Sequence, residues 1–233
     1  MKTALITGAA RGLGRAIAAD LAKDHAVAVT YLTTAPDALV AAFPGIHAIQ
    51  ADMSDPSQVA ALPAKVIDRF GQLDIIVNNA AQVAADDSTA YDAATVSQTM
   101  GINVSAPMGL LNAALPFLKP GAAVVNISSV NARLPAMSAH SYSASKAALD
   151  TWTKIAAKTL GARGIRVNAV APGPVNTPEA PRPDELTALF VRDTALGRLA
   201  TPDNIASAVR FLASDAAGGI TGEILEVSGG YRL

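Results

Sequence analysis

A chain of 233 residues, 51% apolar and 16% charged with a formal charge of −1, has the composition of a well-cored α/β protein. Its near-neutral balance provides no field for nucleic acid or an anionic membrane, so neither is an expected partner. Cysteine is missing, which excludes disulfides, thiolate chemistry and sulfur-ligated zinc.

The chain opens on an apolar run at 3–7, read as a strand, and a helical pattern near 12–24 follows it. Further apolar runs at 26–31, 46–50, 74–78, 123–128, 166–170 and 223–227 predict six more strands. Helical patterns near 37–42, 57–70, 92–117, 142–160 and 202–214 separate them. Strands alternating with helices imply right-handed crossovers and a parallel sheet. Ile75-Ile76-Val77 and Val124-Val125 are apolar without interruption, as strands covered on both faces should be. The expected architecture is one doubly wound α/β domain over residues 1–233, with about seven parallel strands.

One stretch breaks the alternation. Between 174 and 200, Pro174, Pro178, Pro181 and Pro183 oppose a continuous helix, and the segment is expected to form a substrate lid. The alternative is a solvated connection carrying a short helix. The N-terminus enters a strand with no basic leader, and no apolar stretch approaches the roughly 20 residues of a membrane helix. A cytoplasmic protein is therefore expected.

Between the first strand and helix lies Thr7-Gly8-Ala9-Ala10-Arg11-Gly12-Leu13-Gly14. Glycines let a backbone approach phosphates closely, and the free N–H groups of a helix start face negative charge. Here Gly8 permits the turn, Gly12 the phosphate approach, and Gly14 close helix–strand packing. A second pattern, Tyr142-Ser143-Ala144-Ser145-Lys146, puts Tyr142 and Lys146 on one helix face. A phenol with a pKa near 10 is a poor proton donor and acceptor at neutral pH, and a nearby ammonium in a dry site is expected to lower it. Ser129 follows an apolar strand, at the sheet edge where open α/β folds bind ligands. Its neighbour Ser128 competes for the same role, but alternation sends the two to opposite faces. His25, His47 and His140 are too scattered to suggest a metal site, and none is expected.

Thr7–Gly14, Asn78-Asn79-Ala80, Ser129, Tyr142 with Lys146, and Pro172-Gly173 follow one another as in the short-chain dehydrogenase/reductase family. The chain resembles that family along essentially its whole length, in particular the branch of 3-oxoacyl-carrier-protein reductases. The resemblance implies a Rossmann-type fold and hydride transfer between a nicotinamide and a carbonyl or alcohol carbon. It assigns catalysis to Ser129, Tyr142 and Lys146, with Asn103 holding a water in a proton relay. It assigns cofactor contacts to Gly8, Arg11, Gly12, Leu13, Gly14, Asp52, Met53, Asn79, Ala80, Tyr142, Lys146, Pro172, Gly173, Val175 and Thr177. Asp52 would accept from the adenine amino group, although a helix cap is its plainer role. Two departures stand out. Ala81 replaces a usual glycine, and Ser228 replaces a frequent aspartate before the paired Gly229-Gly230.

The end of the second strand reads Thr30-Tyr31-Leu32-Thr33-Thr34, with no carboxylate to repel a 2′-phosphate. Thr33 and Thr34 can donate to that phosphate and Arg11 can supply charge, so NADP(H) is favoured over NAD(H). The pocket residues Met137, Ser138 and Phe190 suggest a small, weakly charged organic substrate, and Arg182 reads as a surface residue more readily than as an acid-binding one. His140 reads as a helix start. Small residues such as Ala144, Ala147, Ala148, Ala156 and Ala157 permit close helix packing, and the resemblance implies a homotetramer or dimer built there. A 3-oxoacyl-thioester reductase, docking its carrier through Lys119 and Arg163, and a cofactor sensor without turnover are the competing functions.

Overall fold

A computed structural model describes residues 1–86, 89 and 91–233. The strands are β1 (Thr3–Ile6), β2 (Ala26–Tyr31), β3 (His47–Gln50), β4 (Ile75–Asn78), β5 (Ala123–Ile127), β6 (Arg166–Pro172) and β7 (Ile224–Val227). All pair in parallel, in the order β3-β2-β1-β4-β5-β6-β7. The order reverses between β1 and β4, which opens a crevice at the carboxyl ends of those strands.

The helices are α1 (Gly12–Leu21), α2 (Asp37–Ala42), α3 (Pro56–Phe70), α4 (Ala93–Met100), α5 (Ala106–Ala114), α6 (His140–Leu160), α7 (Asp184–Arg192) and α8 (Pro202–Ala213). They cover both faces of the sheet, and strand alternation divides the core accordingly. Ile6, Val77 and Val125 face α1 and α8, packing with Ile17, Leu21, Ile205 and Val209. Leu5, Ile76 and Val124 face α3, α5 and α6, packing with Leu62, Val66, Leu110 and Leu160. All seven strands lie where the apolar runs predict them, with ends shifted by a residue or two.

One element differs from expectation. The single helix expected near 92–117 is broken by a π-helical turn at Gly101–Ser105, between α4 and α5. The segment 174–200 contains α7, which has no buried residue and leaves Leu186 and Leu189 exposed. Ala156 and Ala157 belong to the chain's own core, so of the small α6 residues only those near Ala144 remain outside it.

Candidate active site

At the crevice, the β1 and β4 ends are tied by side chains. Thr7 Oγ1 accepts from the N–H groups of Asn79 and Ala80, both at 3.0 Å. Asn79 Nδ2 donates to the Thr7 and Gly8 carbonyls at 2.9 Å. Gly8 N–H in turn donates to Thr30 Oγ1 on β2 at 3.0 Å. The glycine turn is thus held from both sides by hydroxyl and amide groups.

Its packing explains the glycines. A Cβ on Gly14 would lie 2.4 Å from Asn79 Nδ2 and 2.5 Å from the Gly8 carbonyl oxygen. One on Gly8 would lie 2.8 Å from Ala80 Cα. Gly12 has a φ of +59°, and a Cβ there would meet only the Thr177 methyl, at 3.9 Å. The turn is closed behind and open in front, a cradle that suits a pyrophosphate. No acidic residue occupies the first turn of α1, whose positive end faces that space.

A cavity of about 1210 Å³ runs along the crevice. The residues predicted to contact cofactor or substrate line it, with Asn103 and Ser138 the exceptions. Ser138 is exposed outside the cavity, and its carbonyl accepts from Asp86 N–H at 3.2 Å, which removes it from the expected pocket. Asn103 sits in the π-helical turn, 1% exposed, and its amide is committed to the protein. Oδ1 accepts from Gln82 N–H at 2.8 Å, while Nδ2 donates to Gln82 O and Ser145 Oγ at 2.9 Å. His140 does not line the cavity and begins α6, as the plainer reading holds. The cap of α3 is Asp55, which accepts from Ser57 and Gln58 N–H, so Asp52 is not needed there. Asp52 accepts from Ser54 at 2.7–2.8 Å and stays on the cavity wall.

Ser129, Tyr142 and Lys146 come together at the end of β5. Ser128 is 1% exposed, and Ser129 lines the cavity with Tyr142 while its hydroxyl accepts from Asn131 N–H at 3.1 Å. Lys146 Nζ lies 5.5 Å from the centre of the Tyr142 ring and donates to the Ile127 carbonyl at 2.7 Å. The charge effect differs from expectation. Burial pushes the Tyr142 phenol above its ordinary value, and the Ser129 hydroxyl is the group that opposes this. No lowering by the Lys146 ammonium offsets this, and burial drives Lys146 itself down to about 8. Two groups in one dry corner each resist ionisation.

Several site residues carry no local sequence signal. Asp86, after β4, accepts from Ser141 N–H at 3.0 Å and so caps α6 one residue before Tyr142. Glu179 reaches back to the glycine turn. Its carboxylate accepts from Gly12 N–H at 3.3 Å and pairs with Arg15 at 2.9 Å. Arg182 is half-buried on the cavity wall, which corrects its surface assignment. Ser228 takes up the turn-holding task of the expected aspartate, accepting from Gly230 and Tyr231 N–H at 3.2 and 3.1 Å. Among the described residues no helix is long and apolar enough to cross a membrane, and no cluster of metal-ligating side chains occurs.

Residues 8–232 match a family model described as enoyl-(acyl carrier protein) reductase. The chain is 35% identical to 3-oxoacyl-[acyl-carrier-protein] reductase of Staphylococcus aureus, over 100% of this chain and 98% of that one. It is 37% identical to cis-4-hydroxycyclohexanecarboxylate dehydrogenase of Sinomonas cyclohexanicum, covering 99% and 96%. A short-chain dehydrogenase from Burkholderia cenocepacia, solved in complex with NADP, superposes with a TM-score of 0.94 at 35% identity, covering 100% and 98%.

Proposed function

This chain belongs to the short-chain dehydrogenase/reductase family of oxidoreductases, and we propose that it exchanges a hydride with the carbonyl or secondary-alcohol carbon of a small organic substrate. The observation that carries this reading is the meeting of Ser129, Tyr142 and Lys146 in the same cavity as the glycine cradle. When bound, a nicotinamide dinucleotide supplies or accepts the hydride. Tyr142 gives the substrate oxygen its proton in reduction and removes it in oxidation. Ser129 hydrogen-bonds both that oxygen and the phenol, which orients one against the other. Lys146 refills the phenol's proton and is held for that by the Ile127 carbonyl. Asn103 is a positioning residue that locks the π-helical turn to Ser145, one residue from Lys146.

NADP(H) is favoured over NAD(H). Thr33 and Thr34 are exposed beside the cavity with no carboxylate in the strand end, and Arg11 makes no ion pair among the described residues. The NADP complex of the Burkholderia relative supports this choice. We assign the nicotinamide carboxamide to Val175 and Thr177, which line the cavity together with Pro172 and Gly173. The test is a screen of ketones, sugars and acyl thioesters with both reduced nicotinamides, followed by absorbance. Turnover is expected with NADPH, at about tenfold higher kcat/KM than with NADH, the worth of one charge-assisted hydrogen bond. Oxidation of neither dinucleotide by any carbonyl would leave the sensor reading standing.

Glu179 bears on cofactor entry. Its carboxylate occupies the N–H of Gly12 and the guanidinium of Arg15, groups that an entering pyrophosphate also needs. Glu179→Gln is therefore expected to tighten NADPH binding by about 3- to 10-fold, since one charged contact no longer competes. Fluorescence titration reads this directly, and unchanged or weaker binding would refute it.

A 3-oxoacyl-thioester reductase is the second reading, favoured by the likeness to the Staphylococcus aureus enzyme. Carrier docking finds less support, because Arg163 spends its guanidinium on the Leu115 and Leu118 carbonyls. Assembly into a homo-oligomer through the outer face of α6, where Ala144 and Ile155 are exposed, belongs to the same proposal.

A further inference from the structure

The wall of the cavity around α7 holds a guanidinium that makes no ion pair among the described residues. Arg182 donates through Nη1 alone, to the Val175 carbonyl at 2.6 Å and to Asn176 Oδ1 at 3.0 Å. Its guanidinium carbon stands 5.5 Å from the centre of the Phe190 ring, and Phe190 packs edge-on against Tyr231 at 5.8 Å. Two anchors and a stacking partner hold the plane in one orientation. The other edge, formed by Nε and Nη2, has no partner among the described residues. That edge presents two parallel N–H donors, the fork that matches a carboxylate.

The other cations lining the cavity are differently engaged, Arg11 being assigned above to the cofactor's 2′-phosphate. Arg15 pairs with Glu179, and Arg232 pairs with Asp193 at 3.2 Å. Lys146 is fully buried at the catalytic corner. Arg182 is thus left as an oriented charge with no ion-pair partner among the described residues, set against the Phe190 ring that packs on Tyr231. A half-buried cation of this kind is costly unless a ligand completes it.

We propose that Arg182 anchors a carboxylate on the substrate, so that the preferred substrates are oxo or hydroxy acids with a compact apolar body. This deepens the hydride-transfer reading and rests on it. Beside Val175, the anchor fixes one end of the substrate while Ser129 and Tyr142 take the oxygen at the other. The planar carboxylate, with two oxygens in line, fits a single free edge beside an aromatic ring better than a phosphate ester does.

The matched probes are acetophenone and 4-acetylbenzoate, which differ only in the anchor group, assayed with NADPH. The wild-type chain is expected to favour 4-acetylbenzoate in kcat/KM by roughly 10- to 30-fold, chiefly through KM. Arg182→Gln should bring that ratio close to one, and Arg182→Lys should restore only part of it, because an ammonium lacks the planar fork. Equal use of the two ketones by the wild type would overturn the proposal. So would an Arg182→Gln variant that slows both ketones in proportion, since a merely structural role leaves the ratio unchanged. Binding is read separately by calorimetry with benzoate and benzamide. If no carbonyl compound is reduced, the hydride reading fails, yet benzoate binding that needs Arg182 still sustains the anchor. Failure of benzoate to bind better than benzamide ends it.

Discussion

Tyr142→Phe is expected to lower kcat by about 10²- to 10⁴-fold, the usual contribution of one positioned acid–base group. The substitution removes a single oxygen and leaves the ring above Lys146, so NADPH affinity should fall by far less than kcat. Single-turnover absorbance with a reducible ketone separates the two quantities. The raised phenol pKa sets a direction as well. Burial keeps Tyr142 protonated through neutral pH, so it starts each reduction as a proton donor. In the oxidative direction the same burial is a handicap, because the phenolate that must accept a proton is disfavoured. Reduction should therefore hold its rate across neutral pH, while oxidation climbs with pH. A Tyr142→Phe variant with kcat within a few-fold of wild type would remove Tyr142 from the chemistry and the proposed reaction with it.

Local chemistry explains which parts of this site can be read from the chain. The glycine turn is legible because backbone approach and φ angle are decided within eight residues, as the clashes around Gly8 and Gly14 bear out. Strands are legible because burial on both faces leaves continuous apolar runs such as Ile75-Ile76-Val77. The spacing of Tyr142 and Lys146 is a property of one helix. What stays hidden depends on contacts between distant segments. Asp86 caps α6 across 55 residues, and Glu179 reaches the glycine turn across 167. No period or propensity marks either. The π-helical turn at Asn103 has no sequence period of its own, and α7 is exposed enough that its apolar pattern hides among prolines. The sign of the Tyr142 shift belongs to the same group. It depends on how deeply the tertiary packing buries the phenol itself, which the four-residue spacing on one helix does not reveal.

Lys146→Met should change how stability varies with pH, and the sign follows from burial. In the unfolded chain this lysine keeps its proton to about pH 10.5; in the folded chain it keeps it only to about 8. Between those values the unfolded state carries the extra proton, so the folded wild type gains stability as pH rises. Well below pH 8 both states are protonated and the slope vanishes. The slope for one group is at most about 1.4 kcal/mol per pH unit. A methionine side chain carries no proton and cannot contribute to it. The unfolding free energy of wild type minus that of the variant should therefore grow by about 2 kcal/mol between pH 8 and 10, roughly thirtyfold in the folding equilibrium. Urea denaturation at several pH values measures it, with the other titrating groups cancelling in the difference. Parallel curves would mean that the ammonium is well solvated and that the corner beside Tyr142 is wet. The proposed chemistry rests on the opposite: a lysine buried beside the phenol and lowered to about 8 passes its proton to a Tyr142 phenolate downhill.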